Sequence, residues 1–187
     1  MKSKKLSEKI LRSIKSRGFK NITLDPVIET KYILQRSGEN FKKLLFSFYD
    51  LNGKELCLRP DLTISSVIRF IQNKKDNREK VYYSGEAFRK TYQKKDSIIK
   101  NQIGYEILGS KNKQKDDKEI IDTAVKILKN SNFKKGALKL GNIELFNLLI
   151  EKLDIPRRWK NRLKKYYWNK NYFNELLKRL ETNSDID

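Results

Sequence analysis

Leu58-Arg59-Pro60-Asp61-Leu62-Thr63, Tyr82-Tyr83-Ser84-Gly85-Glu86-Ala87-Phe88-Arg89 and Asn101-Gln102-Ile103-Gly104-Tyr105-Glu106 decide the reading of this 187-residue chain. The first stretch is a proline-initiated turn ahead of a helix marked by Ile64, Val67, Ile68 and Ile71. The other two are strands, residues 81–89 and 100–108, joined by polar residues 90–99 into a long hairpin. In the second strand Ile103, Tyr105 and Ile107 share one face, and Gln102, Gly104 and Glu106 the other. A polar strand face is ordinarily solvated. Here its neighbours argue for a ligand. Gly104 leaves an open floor, Arg89 ends the partner strand, and Asp61 and Thr63 stand at a helix start whose free N–H groups suit an anion. Glu106, Asp61 and Gln102 supply acceptors for an ammonium, so the set fits a zwitterionic small molecule.

The pattern around this centre is that of an α+β domain with a largely antiparallel sheet. Leu6, Ile10, Leu11 and Ile14 mark a first helix, ended by Gly18. Residues 21–29 read as a strand, and Pro26 within it removes a ladder donor, which places it at an edge or interface. Residues 44–49 and 55–58 read as strands joined by the Asn52-Gly53 turn. Asp116 with Glu119 has the spacing of a capping box, followed by a stripe of Ile121, Ala124, Val125 and Leu128. Residues 137–140 read as a short strand. Asn142 then caps a helix carrying Leu145, Phe146, Leu149 and Leu153, which Pro156 ends, and residues 157–167 and 172–180 are two further helices.

Composition narrows the function. The 43 Lys and Arg against 23 Asp and Glu give a net charge of +20, dispersed along the chain and not gathered in one block. There is no histidine, so histidine-based acid–base catalysis and metal ligation are excluded, and a single cysteine, Cys57, argues against a zinc site. One cysteine also forms no internal disulfide, which suits the cytoplasm. Cys57 lies between Leu56 and Leu58 and reads as a core residue. The N-terminus lacks the apolar run of a signal peptide, and no stretch approaches the roughly 20 apolar residues that span a bilayer. Arg157, Arg158, Lys160, Arg162, Lys164 and Lys165 interleave with Trp159, Tyr166, Tyr167 and Trp168. The mixture suits either single-stranded RNA or helices whose aromatics pack inward. The packing reading is adopted, with nucleic acid not expected as a partner. No phosphate-binding glycine motif occurs.

These stretches resemble the catalytic core of class II aminoacyl-tRNA synthetases, and of the histidyl branch in particular. Gly18-Phe19 through Pro26 and Glu29 is similar to motif 1, the dimer-forming strand region. Phe88-Arg89 with Gln102-Ile103-Gly104-Tyr105-Glu106 is similar to motif 2, and Leu58 to Thr63 to the amino-acid-binding turn. Arg36-Ser37-Gly38-Glu39 and the run from Glu55 to Thr63 are closer to a paralogous family, the regulatory subunits of ATP phosphoribosyltransferase in histidine biosynthesis. The likeness runs from about Gly18 to Gly109 and continues through Pro156-Arg157-Arg158-Trp159. It implies that Asp61, Thr63, Gln102 and Glu106 face a histidine pocket, with Arg89 at the motif 2 arginine. It also implies a homodimer through the first strand region and a catalytic phosphoribosyltransferase partner. The domain would divide into a core at residues 1–141 and a helical segment, 142–187, continuing it.

The departures carry as much weight. Synthetases follow the motif 2 arginine with a glutamate that grips adenine, whereas Lys90-Thr91-Tyr92 follows Arg89. The second hairpin strand enters with Ser97-Ile98-Ile99-Lys100, without the arginine for ATP phosphates. The glycine-rich motif 3 and the Arg-Gly-Leu-Asp-Tyr-Tyr segment are absent, so the C-terminal part of the fold is expected to be missing. With these departures the resemblance implies a non-catalytic chain that needs no cofactor. A relative of histidyl-tRNA synthetase, or an RNA-binding module on the same fold, is the alternative.

Overall fold

The computed structural model describes residues 2–73, 77–93, 95–131 and 136–182, with side chains from residue 5 onward. It divides into two compact units, Met1–Lys135 and Gly136–Asp187. Among the described residues no helix is long and apolar enough to cross a membrane.

The first unit holds two three-stranded sheets. In one, β1 (Lys20–Asn21) runs parallel to β5 (Glu79–Phe88), and β5 pairs antiparallel with β6 (Ile99–Leu108) from Glu79↔Leu108 to Phe88↔Ile99. In the other, β2 (Val27–Glu29) and β3 (Ser47–Tyr49) flank β4 (Glu55–Leu58), all antiparallel. The single strand expected at residues 21–29 is therefore two, one in each sheet. The break comes where Pro26 has no donor to give, and its carbonyl instead accepts from Arg59 N at 2.8 Å. The strand expected at residues 44–49 shortens to β3. A helix α2 (Thr30–Ser37) and a 3-10 helix (Glu39–Leu44) precede it, separated by Gly38 at φ 78°.

One face of the β5–β6 hairpin packs on helices α1 (Lys2–Lys15) and α4 (Lys113–Asn130). There Tyr82, Ile103, Tyr105 and Ile107 meet Ile14, Phe19 and Ile127. Phe19 stacks edge-on against Tyr105 at 5.4 Å. The opposite face packs Tyr83 and Ala87 against Leu24 and Leu62 at the start of α3 (Leu62–Gln72).

Two helix faces differ from the apolar stripes. On α4 the inward residues are Ile120, Thr123 and Ile127, while Leu128 is exposed. Thr123 is fully buried: its hydroxyl donates to Glu119 O at 2.7 Å and accepts from Arg17 Nε at 2.6 Å. On α3, Leu62, Ser65 and Ser66 are buried whereas Val67 and Ile71 are exposed.

The expected capping box at Asp116 is not one. Asn112 caps α4, accepting from Lys115 N at 3.1 Å. Asp116 is buried against Arg78, whose Nη2 lies 2.6 Å from Oδ1. Glu119 takes Arg78 at 2.6 Å and Lys80 at 2.5 Å. Arg78 holds the Asp116 carboxyl below its ordinary value, and Lys80 chiefly does so for Glu119. Groups with lowered folded values stabilise above the ordinary carboxylate pKa of about 4 and lose that contribution as pH falls through the lowered values. Arg78→Gln should therefore destabilise the protein at neutral pH, and by less near about pH 3. Urea unfolding of both proteins at the two pH values checks this, and an equal difference at both would contradict it.

In the second unit, Asn142 caps α5 (Ile143–Lys152), accepting from Glu144 N at 2.8 Å and Leu145 N at 3.1 Å. Pro156 opens α6 (Arg157–Tyr166), and α7 (Lys170–Glu181) completes a three-helix core of Ile150, Trp159, Leu163 and Leu176. Residues 137–140 form no strand, since the described elements of this unit are all helices and offer no edge to pair with. On α5 the inward residues are Phe146 and Ile150, while Leu145, Leu149 and Leu153 are exposed. Trp159 and Tyr166 pack inward with this core, as the packing reading of the basic segment expects, whereas Tyr167 and Trp168 are exposed.

Candidate functional site

The turn at residues 60–64 is the hub of the site: Asp61, Thr63, Arg89 and Gln102 belong to it or bond to it, and Glu106 is linked to it through Tyr83. Asp61 caps α3, its Oδ1 accepting from Ile64 N at 3.0 Å. Gln102 reaches across from β6 so that its Oε1 accepts from Leu62 N at 3.1 Å. Arg89, exposed beyond the end of β5, donates from Nε to Pro60 O at 2.7 Å and lies 5.8 Å from the Phe41 ring. Thr63 Oγ1 lies 3.0 Å from the Tyr83 hydroxyl, which donates to Glu106 Oε1 at 2.8 Å. Asp61, Gln102 and Glu106 are partly buried and Thr63 is exposed.

Two expectations are corrected. The N–H groups of Leu62 and Ile64 at the start of α3 are already taken by Gln102 and Asp61, so neither is free for an anion. Gly104 is not an open floor. It stands opposite Tyr83 in the ladder, and a Cβ there would lie 2.4 Å from the Tyr83 ring. The missing side chain makes the slot for the ring, which is 1% exposed.

Tyr83 and Arg59 were missed as site-forming residues. The cross-strand match of a tyrosine to a glycine is a signal for the first, once the hairpin register is known. Burial pushes the Tyr83 phenol far above its ordinary value; the Thr63 hydroxyl pulls it back and Glu106 raises it further. Arg59 is 7% exposed. Its Nε donates to Glu86 O at 2.8 Å and its Nη1 to Leu24 O, while its backbone N–H donates to Pro26 O and its carbonyl accepts from Phe88 N at 3.0 Å. It fastens the 60–64 turn to β5 and to the segment between β1 and β2. Burial lowers its pKa, opposed by Glu86 and Asp25. A Cβ on Gly85 would fall 2.7 Å from its Nη2, which explains the glycine there. Cys57 is fully buried and its thiol is pushed up by burial, as a core residue should be.

The arrangement is a polar cluster built on a hairpin and a helix start, with acceptors at Asp61, Thr63 and Glu106 and donors at Gln102 and Arg89. Comparison with known proteins agrees with the architecture. The family model for histidyl-tRNA synthetase matches residues 1–186. An ATP phosphoribosyltransferase regulatory subunit from Allorhizobium ampelinum is 26% identical over 91% of this chain and 46% of its own length. A histidine–tRNA ligase from Methanococcus maripaludis is 30% identical over 100% of this chain and 46% of its own length. The crystal structure of an ATP phosphoribosyltransferase regulatory subunit/histidyl-tRNA synthetase from Bacillus halodurans superposes with a TM-score of 0.77 at 20% identity, covering 95% of this chain and 47% of that one. That likeness shows the α+β, class II synthetase-like fold. The chain thus spans under half the length of these relatives, and within that span it belongs to the histidyl-tRNA synthetase family.

Proposed function

We propose that this chain acts as a non-catalytic regulatory subunit of ATP phosphoribosyltransferase, at the first step of histidine biosynthesis, and senses histidine through the cluster at Asp61, Thr63, Arg89, Gln102 and Glu106. The observation that carries the reading is a contrast. Every side chain of the amino-acid cluster is held in a bonded geometry around the 60–64 turn. Yet no carboxylate follows Arg89 in Lys90-Thr91-Tyr92 to grip adenine, and no arginine enters β6 for phosphates. Relatives named as regulatory subunits support it. A relative named as a histidine–tRNA ligase, at 30% identity over the whole chain, favours a second reading, amino-acid activation. Histidine-dependent ATP–pyrophosphate exchange separates them: no exchange is expected, and robust exchange would overturn the regulatory reading.

Calorimetric titration tests the cluster. Glu106→Gln should weaken histidine about 5–150-fold, because a charge opposite the ammonium is lost in a partly dry site. Asp61→Asn should act alike while leaving its cap on Ile64 N in place. Unchanged affinity in both would move the site elsewhere.

The reading includes a homodimer through the first strand region. β2 is an edge strand, and a cavity of about 310 Å³ between it and α3 is lined by Leu24, Val27, Ile28, Tyr32 and Ile68. A second copy laid on this edge would cover it. Sedimentation at micromolar concentration should give a dimer, which Val27→Lys weakens; a monomer in the parent protein would contradict the interface.

A further inference from the structure

We propose that the cleft between β2 and α3 is a second binding site, for a small uncharged molecule with an apolar body and one hydrogen-bonding head, and that the Ser65 hydroxyl receives the head. None of Asp61, Thr63, Arg89, Gln102 and Glu106 lines this cleft, so the inference goes beyond the histidine reading and does not depend on it.

Ser65 lies on α3, lines the cleft and is 5% exposed. Its Oγ is buried without a hydrogen-bond partner. The next residue shows how such a hydroxyl is settled within a helix: Ser66 Oγ donates to Thr63 O at 2.9 Å. The other unpartnered buried side-chain oxygen among the described residues, Thr30 Oγ1, has the Cys57 thiol beside it. A buried hydroxyl without a partner lowers stability, where an alanine of similar shape would not. The cavity that Ser65 adjoins has about 310 Å³. Benzene is held by an apolar cavity of about 150 Å³, and small-molecule pockets begin near about 300 Å³.

The rest of the lining selects the class of ligand. Leu24, Ile28, Leu56 and Ile68 supply apolar surface. The charged lining groups are already matched. Glu29 lies 2.7 Å from Lys31 and 2.9 Å from Lys54, and Arg69 forks onto Glu79 at 3.0 and 3.3 Å. Asp25, on the exposed rim, interacts electrostatically with the buried Arg59. A charged ligand would meet no unmatched charge to offset its desolvation, and the net charge of +20 opposes a cation further. What the interior of the cleft offers is apolar surface and one neutral hydroxyl able to donate and accept. A phenol or a cyclic alcohol of up to about ten heavy atoms has the matching chemistry. A second copy laid on the β2 edge would close over the bound molecule, but binding itself uses the residues of one chain.

Phenol and toluene have nearly the same shape and differ in the hydroxyl, so the pair isolates the head. They are added to the full chain at equal millimolar concentration and followed by amide NMR, with benzylammonium and benzoate as charged probes. Phenol should shift amides of β2 and of residues 65–72, and toluene and both charged probes should bind at least about fivefold more weakly. Ser65→Ala should weaken phenol about tenfold and leave toluene unchanged or tighter. Without any probe, its urea midpoint should be unchanged or raised, because the substitution removes an unpartnered buried group. Toluene or a charged probe binding as well as phenol to the parent chain would overturn the ligand class. A lowered midpoint with phenol binding intact in Ser65→Ala would make the hydroxyl a structural group and overturn its role. Phenol producing no shifts at these residues would overturn the site.

Discussion

Arg59→Ala is expected to destabilise the first unit by about 3–5 kcal/mol. The truncation strips hydrogen bonds from the carbonyls of Leu24 and Glu86. Each buried carbonyl left without a partner costs about 1–3 kcal/mol, and the space vacated beneath Gly85 adds a cavity term. Arg59→Lys should recover little, because an ammonium on a flexible stem cannot span two carbonyls in the fixed fork of a guanidinium. The backbone bonds from Arg59 N to Pro26 O and from Phe88 N to Arg59 O remain, so the fold itself should survive. Urea unfolding should show a lower midpoint with an unchanged slope. A loss below about 1 kcal/mol would mean that the guanidinium does not hold the turn.

Trp159→Ala should cost about 3–5 kcal/mol in the second unit. Trp159 is 4% exposed and packs with Ile150, Leu163 and Leu176, which supply the buried centre of that unit. So small a core has no reserve for a hole of that size. Hydrogen exchange should then show protection lost across α5, α6 and α7, with the amides of β5 and β6 still protected. Protection lost equally in both units would show that their cores are not energetically separate.

The sequence was most legible where the signal is local. Alternation along residues 102–107 assigned the two faces of β6 correctly, and Asn142 announced its helix because a cap bonds within three residues. Legibility failed where a distant partner decides. The buried face of α4 runs through Thr123 and that of α3 through Ser65 and Ser66, so apolar periodicity pointed to a neighbouring stripe instead. Asp116 and Glu119 have the spacing of a local cap but serve Arg78 and Lys80, 38 and 39 residues away. The fold class and the residues of the cluster came from motif order. Their coupling through Tyr83 did not, because Tyr83 meets Gly104 only once the hairpin register is set, and the register is a property of the paired strands.

The central proposal is a regulatory role, and one measurement tests it most directly. The catalytic ATP phosphoribosyltransferase subunit of the same organism is assayed for phosphoribosyl transfer alone, with this chain, and with this chain plus histidine. The account predicts that the two chains co-elute, that the transfer rate changes on assembly, and that histidine lowers the rate of the assembled enzyme but not when this chain carries Glu106→Gln. Absence of a complex, together with a rate indifferent to this chain with and without histidine, would contradict it.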